Sequence, residues 1–148
     1  MKSKGFLKIA TLLVSVVFFL ACSNDDDDTF ARITVNGTLL KGDRSDFNGD
    51  IDASFTGNGG TVSRSFIWNN KLNTADYNAD ITATSKGTFV MTVADSRGNI
   101  VLNRTINGAT EPDSIDGVTS SGNSGIWTVT ITLTNFTGDG SFSLSEGD

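Results

Sequence analysis

A long alternation of apolar and polar residues near the C-terminal end constrains the fold more than any other stretch of this chain. The apolar positions are Trp127, Val129, Ile131 and Leu133, and the intervening positions are Thr128, Thr130, Thr132 and Thr134. A two-residue period over this length does not fit an α-helix, whose apolar positions recur every three or four residues. The stretch therefore predicts a strand with Trp127 and its series in the core and a threonine ladder on a solvated sheet face.

Shorter alternating segments fill the rest of the chain after residue 30, and glycine, asparagine, aspartate and serine separate them. We predict strands at 33–35, 38–40, 50–56, 61–68, 77–84, 88–94, 100–106, 126–136 and 141–145, with a short edge strand at 115–119. About eight or nine strands, with turns every 8 to 12 residues or so, predict an all-β fold: one antiparallel β-sandwich, Ig-like or jelly-roll, over residues 30–148. The second half, from about residue 88, is similar to accessory sandwiches on secreted bacterial proteins, and that similarity transfers no functional residue.

Glycine-rich clusters locate the expected turns. Asn36-Gly37 predicts a two-residue hairpin. The clusters at 57–60 and 138–140 predict turns between separate strands, and the polar segment 41–49 predicts a loop. Asp95 to Asn99 predicts a hairpin loop between the strands at 88–94 and 100–106.

The N-terminal segment is a different kind of sequence. Lys2, Lys4 and Lys8 precede an apolar run over 9–20, and Ala21 and Cys22 follow it. A run of about 12 residues fits a secretory signal and is short for a membrane span, which needs about 20. We therefore predict a signal peptide over residues 1–21. The alternative is an uncleaved N-terminal membrane helix with an incidental cysteine.

The junction itself resembles a bacterial lipoprotein signal, in which leucine, a small residue and glycine or alanine precede the modified cysteine. Ala21-Cys22 matches that pattern, whereas Phe19 and Leu20 depart from its strict form and are similar to the looser form of Bacteroidota lipoproteins. The resemblance implies cleavage after Ala21, a diacylglycerol on the Cys22 thiol, and acylation of the new amino terminus by a fatty acid such as palmitate. Several acyl chains would anchor the protein stably to a membrane.

An acidic run follows the cysteine. Four adjacent aspartates repel one another and stay solvated, so residues 22–29 are expected to form a polar tether. The run resembles the surface-export signal of Bacteroidota lipoproteins, which implies a lipid-anchored protein on the outer face of the outer membrane. The residues concerned are Ser23, Asn24, Asp25, Asp26, Asp27 and Asp28.

Charge and residue usage limit the function. The chain has 11 basic and 17 acidic residues; removing Lys2, Lys4 and Lys8 leaves 8 and 17, a net charge of −9. This charge repels nucleic acid, so no nucleic-acid partner is expected. The chain has no histidine, and its single cysteine is assigned to the anchor. Without histidine the commonest general base is missing, so we expect a protein that is not an enzyme.

Two candidate binding features remain. Oxygen ligands stand at nearly alternate positions in one segment, which resembles a calcium loop and makes it the candidate metal site: Asp43, Asp46, Asn48, Asp50 and Asp52. The EF-hand pattern fails because Ile51 and Gly57 stand where its glycine and closing glutamate belong, so the alternative is a solvated turn.

Trp68 and Tyr77 are candidates for a sugar-stacking platform, whereas Trp127 is expected in the core. The sequence therefore predicts a surface lipoprotein with a binding or structural domain. The alternative is a carbohydrate-binding accessory module, assisted by Ca²⁺ if the acidic loop binds it. The expected partners are the membrane, through the anchor, and an extracellular glycan or protein.

Overall fold

The computed structural model describes residues 28–43 and 45–147, and within these ranges the chain forms strands and turns without a helix. In that part of the chain no helix is long or apolar enough to cross a membrane. The nine strands are β1 (Phe30–Val35), β2 (Thr38–Leu39), β3 (Ser45–Asn48), β4 (Ile51–Asn70), β5 (Ala75–Ala83), β6 (Thr88–Ala94), β7 (Ile100–Asn107), β8 (Ser114–Val118) and β9 (Gly125–Glu146). The expected all-β, sandwich-like fold of eight or nine strands is confirmed.

Two long strands organise the whole sheet. β4 and β9 pair antiparallel from Ile51 opposite Leu144 to Asn70 opposite Gly125. The first half of β4 pairs with β1, and its second half pairs in parallel with β3. The first half of β9 pairs with β6, and its second half pairs with β5. Each long strand therefore has different neighbours along its two halves.

The two halves of the long strands form two layers that share the core. The first layer has the order β2-β1-β4-β9-β5-β8, and the second layer has the order β3-β4-β9-β6-β7. Aromatic rings meet between them: Phe55 of the first layer stacks on Phe89 of the second at 4.7 Å between ring centroids. The sandwich is thus one sheet that bends back on itself, with strands passing from one layer to the other.

Opposing β-bulges make the bend. In the register of β4 with β9, Gly59 is the extra residue on β4, and the extra residue on β9 lies between Leu133 and Phe136. Gly59 and Asn135 both have positive φ, at 69° and 46°, which is a backbone region that glycine and asparagine tolerate. A bulge adds one residue and so shifts the alternation of side chains by one position. The buried positions of β9 accordingly change from odd numbers (Trp127, Leu133) to even numbers (Phe136, Leu144).

The bend corrects two turn predictions. The clusters at 57–60 and 138–140 were expected to be turns, but both lie inside continuous strands. The first contains the β4 bulge at Gly59, and the second pairs in regular register with β4. A third correction concerns segment 41–49, expected as a loop, in which Ser45–Asn48 forms β3 beside β4. The predicted Asn36-Gly37 hairpin, the Asp95–Asn99 loop and the short edge strand near 115–119 are confirmed.

The register also defines two ends of the molecule. The bend end carries Phe30, which pairs with Asn58 and Gly59 at the start of β1. The loop end lies at the other end of both layers and carries the connections Asn36-Gly37, Gly49-Asp50 and Lys71–Thr74, together with the Asp95–Asn99 turn. The segment that precedes β1 therefore joins the domain at the bend end.

Candidate functional site

The residues of the predicted anchor lie almost entirely outside the described part of the chain. Ala21, Cys22 and the run from Ser23 to Asp27 are not among residues 28–43 and 45–147. Asp28 is described and exposed, and its backbone carbonyl accepts a hydrogen bond from Nδ2 of Asn58 at 3.5 Å. Because Asn58 lies beside the β4 bulge, the end of the predicted tether contacts the bend end of the domain.

The acidic residues of the predicted calcium loop take separate positions. The Asp43 carboxylate accepts the backbone N–H of Ser65 at 3.0 Å. Asp46 and Asn48 are exposed on β3, and Asp50 and Asp52 flank the start of β4. Within residues 28–43 and 45–147, no group of three or more histidine, cysteine, aspartate or glutamate side chains could hold a metal ion. Calcium binding stays a prediction from the sequence.

Asn36 connects this segment to the first hairpin. Its side-chain Nδ2 donates to the carbonyl of Asp50 at 3.1 Å, and its Oδ1 accepts the backbone N–H of Asp52 at 2.8 Å. The chain from Asp50 to Asp52 is therefore fixed by a neutral amide. The alternation of aspartates in the sequence reflects outward positions in strands and a turn.

The predicted sugar-stacking platform is wrong for both of its residues. Trp68 is fully buried and Tyr77 is 6% exposed. Trp68 packs edge-on against Trp127 at 6.0 Å between ring centroids, and its Nε1 donates to the carbonyl of Gly49 at 2.7 Å. The register shift at the β4 bulge makes the even-numbered positions of its second half inward, and Trp68 is one of them. Trp127 is buried in the core as expected.

A buried carboxylate that the sequence did not single out lies at the loop end. Asp95 is 3% exposed. Its Oδ2 accepts the backbone N–H of Asn123 at 2.9 Å and the Asn123 side chain at 2.6 Å. Its Oδ1 accepts the backbone N–H groups of Arg97 and Asn99 at 2.9 and 2.8 Å, and Asn99 Nδ2 donates to both oxygens. This cluster ties the β6–β7 hairpin to the segment that enters β9.

The hydrogen bonds determine the charge state of Asp95. The Asn123 side-chain amide does most to hold the pKa of Asp95 well below its ordinary value. Burial opposes this effect, while the Asn99 side chain and the backbone N–H groups of both asparagines add to it. A carboxylate saturated with donors and kept ionised in this way is suited to holding loops together. Proton transfer needs a group whose pKa lies near the working pH.

Two small clefts lie near the ends of the sandwich. A cleft of about 240 Å³ near the bend end has Glu111 and Asp113 among its lining residues. A cleft of about 200 Å³ at the loop end is lined by Asn48, Gly49, Asp50, Asn69, Lys71 and Glu146. Glu146 Oε1 there accepts the backbone N–H of Lys71 at 2.9 Å.

The outward surface of the first layer is acidic. Five exposed aspartates lie on it: Asp52, Asp76, Asp80, Asp116 and Asp139. Between them are mainly short polar side chains such as Ser141 and Asn78. Arg32 is the one basic residue among the described outward positions of these strands, and it packs against the ring of Phe30 at 4.7 Å. We call this surface the acidic face.

The outward surface of the second layer contrasts with it. On four strands of this layer the outward positions carry only serine, threonine, asparagine, alanine, valine and isoleucine among the described residues: β4 over 63–69, β9 over 126–134, β6 over Thr88–Ala94 and β7 over 103–107. The edge strand β3 adds one charge, because exposed Asp46 lies opposite Ile67. Hydroxyls pair across the strands, as in Ser65 Oγ with Thr130 Oγ1 at 2.8 Å and Ser63 Oγ with Thr132 Oγ1 at 2.9 Å. We call the outward surface of these four strands, without β3, the uncharged face; it contains the threonine ladder that the sequence predicted.

Comparison with known proteins adds no family. The sequence matches no protein-family model and no curated protein.

Proposed function

We propose that this protein is a lipid-anchored protein of the bacterial outer membrane, facing the cell exterior, whose β-sandwich domain has a non-catalytic binding or structural role. The observation that carries the proposal is the placement of the single cysteine. Cys22 follows a basic and apolar signal-like segment and precedes the acidic run that ends at Asp28. Lipidation would give the single cysteine of an exported chain a chemical role at that position.

The way the domain begins supports this reading. β1 starts at Phe30, so residues 22–29 are the only link between the proposed lipid and the fold. Eight residues span at most about 28 Å when fully extended. The link joins the bend end through Asp28 and Phe30, which leaves the loop end pointing away from the membrane. The surfaces free to meet a partner are then the loop end and the two outward faces.

The site chemistry supports a non-catalytic role. The full chain has no histidine. Asp95 is a buried carboxylate, and its hydrogen-bond partners are side-chain amide and backbone N–H donors within a loop cluster. Such an arrangement favours structure over proton transfer.

The alternative role in glycan capture now lacks its expected aromatic surface. Both tryptophans and the only tyrosine are buried in the described structure, so none can stack on a sugar. The uncharged face offers hydroxyls and amides but no exposed aromatic ring among its described residues. We therefore favour the anchored binding or structural role over glycan binding.

Protease treatment of intact cells tests the proposed topology. Proteinase K added to cells should remove the domain, because the tether at 22–29 would be outside the cell. A matched variant replaces Asp25, Asp26, Asp27 and Asp28 with asparagine and keeps Cys22. This variant should stay membrane-bound and become protected. Full protection of the wild-type chain on intact cells, with cleavage after lysis, would refute surface display.

A further inference from the structure

We propose that Arg104 keeps β7, the longest edge strand of the described sheet, from pairing with a strand of another chain. β7 pairs with β6 alone among the described strands. An edge strand presents backbone N–H and C=O groups to which another chain can add a strand. The inference goes beyond the proposed function and does not depend on the lipid anchor, because it concerns only the edges of the sheet.

The four edge strands of the described sheet differ in length. β2 has 2 residues, β3 has 4 and β8 has 5, whereas β7 has 8. Short strands offer few backbone groups, and this is one way in which native sheets limit pairing between chains. β7 is long enough to accept a strand, so its edge needs a different kind of protection.

One part of the β7 edge is already occupied. The carbonyl of Val101 accepts the backbone N–H of Ser120 at 3.0 Å. The register of β7 with β6 is also irregular there, between Ile100 and Leu102. A bulge disturbs the ladder that an added strand would need to extend. The remaining part of the edge, over 103–107, contains Arg104.

Arg104 occupies a position at which β7 faces the core. It lies opposite Met91 of β6, and Met91 lies opposite Ile131 of β9. Met91 and Ile131 are fully buried, and so are nearly all of Leu102 and Ile106, which lie two positions before and after Arg104. Arg104 itself is exposed. A charged side chain therefore stands at the open end of an apolar row.

A hydrogen bond holds the Arg104 side chain across the gap between the two layers. Its Nη1 donates to Oη of Tyr77 at 3.2 Å, and Tyr77 belongs to β5 of the first layer. A strand added to β7 would place a core-facing side chain opposite Arg104, between the layers. The guanidinium would then lose water, and burying a charge without a partner is costly. Core-facing charges of this kind protect the edges of native sheets.

The same row has an arginine at its other end. β3 pairs with β4 from Ser45, opposite Phe66, onwards, so Arg64 of β4 lies next to the end of that pairing. Arg64 also faces inward, because it lies opposite Ile131. Across β4, β9, β6 and β7 the row consists of Arg64, Ile131, Met91 and Arg104. A charge thus recurs at both ends of an otherwise apolar row, which supports a role at the edges.

Substitution of Arg104 in the full-length chain tests the proposal. The variants are extracted from native membranes in one mild detergent, and light scattering gives the protein mass at equal concentrations. R104M keeps a long, unbranched side chain and removes the charge, so we expect a dimer or a larger assembly. R104K keeps the charge and should retain the wild-type mass. R97L is the matched control, because Arg97 is exposed in the Asp95–Asn99 loop, and it should also retain the wild-type mass.

A further variant separates the charge from the hydrogen bond. Y77F removes the acceptor and leaves Arg104 charged at the edge, so it should retain the wild-type mass. If Y77F associated as much as R104M, loosened packing would be the cause and the proposal would be overturned. If R104M does not accumulate, R104Q replaces it, since glutamine is neutral and can still donate to Tyr77; it should associate as well.

Hydrogen exchange shows where the copies meet. In R104M, the peptide covering 100–107 should exchange about tenfold more slowly than in the wild-type chain, because a paired N–H exchanges only when the pairing opens. The peptide covering β8 (Ser114–Val118) should be unchanged. An R104M chain of wild-type mass, equal association of R104K or R97L, or association without slower exchange over 100–107 would overturn the proposal.

Discussion

Gly59 and Asn135 are the bulged residues of the two long strands, and each has its backbone N–H bonded to a threonine hydroxyl of the opposite strand. Thr137 Oγ1 accepts from Gly59 at 2.9 Å, and Thr61 Oγ1 accepts from Asn135 at 3.0 Å. A bulge leaves a residue out of the regular ladder, so its N–H needs another partner. The two threonines supply it, and the bend of the sheet depends on this reciprocal pair.

Removing either hydroxyl should destabilise the bend. We expect T61V and T137V each to lower the free energy of unfolding by about 0.5–1.5 kcal/mol, the range for one hydrogen bond near the surface. T128V is the matched control, since Thr128 is exposed on the same strand as Asn135 and lies outside the bulge. Urea denaturation of the three variants measures the difference. Equal stability of T137V and T128V would contradict the role of the threonines.

Gly60 should tolerate no side chain. A Cβ at this position would collide with the backbone of Phe30 and Ala31, neither of which can move without breaking the pairing of β1. We expect G60A to cost about 1–3 kcal/mol or more, in the range of overpacked sites. Gly42 has open space around it, so G42A should be close to neutral. Thermal unfolding compares them, and a G60A variant as stable as G42A would rule out the close approach at the bend.

The Asp95 cluster should make stability depend on acid pH. Because the folded chain holds the pKa of Asp95 below its ordinary value, the unfolded chain takes up the proton first as pH falls. The contribution is fully present above about pH 4, near the ordinary pKa of aspartate, and is lost as the pH falls further. D95N should therefore be less stable at neutral pH, and its stability should fall less steeply in acid.

A neutral substitution in the same hairpin is the control. Ser96 Oγ donates to the carbonyls of Asn123 and Ser124 at 3.1 and 2.8 Å. S96A should lose some stability and keep the wild-type dependence on pH, since the carboxylate is intact. Urea midpoints measured from pH 2 to 7 separate the two variants. Parallel pH curves for D95N and wild type would show that the carboxylate does not contribute in this way.

Trp68 should behave as a core residue. We expect W68A to cost about 3–5 kcal/mol, as for other buried tryptophans, and I126A to cost less than about 0.5 kcal/mol because Ile126 is half exposed. Chemical denaturation measures both. A mild effect of W68A, together with rapid quenching of tryptophan emission by iodide, would restore Trp68 as a surface residue.

The fold class was predictable because strand periodicity is a local property. The alternation from Trp127 to Leu133 is visible in the sequence and corresponds to one face of β9. The bend was not predicted because glycine clusters serve both turns and bulges, and only pairing with a second strand distinguishes them. A signal was present in the sequence: the apolar positions of this stretch change from odd numbers up to Leu133 to even numbers from Phe136, and the buried positions of β9 change with them.

The candidate sites were less predictable than the fold. The predicted strand 61–68 put Trp68 on the same side as Phe66, but it did not show which side of the sheet faces the core. The register shift at the β4 bulge turns that side inward. The hydrogen bonds of the Asp95 cluster join residues that are 28 positions apart in the sequence, so no local sequence pattern predicts the cluster. The lipid anchor differs from these sites because a signal peptidase recognises a linear segment of the chain. The prediction of the anchor therefore rests on the sequence around Cys22.

Mass spectrometry of the N-terminal peptide, isolated from membranes of the native cell, tests the central claim most directly. We expect a chain that begins at Cys22 and carries a diacylglycerol on the thiol and a fatty acid on the amino group. The C22S variant should retain residues 1–21 or leave the membrane fraction. A wild-type peptide with an unmodified Cys22, or with Ala21 still attached to it, would contradict the lipid anchor and the surface role that depends on it.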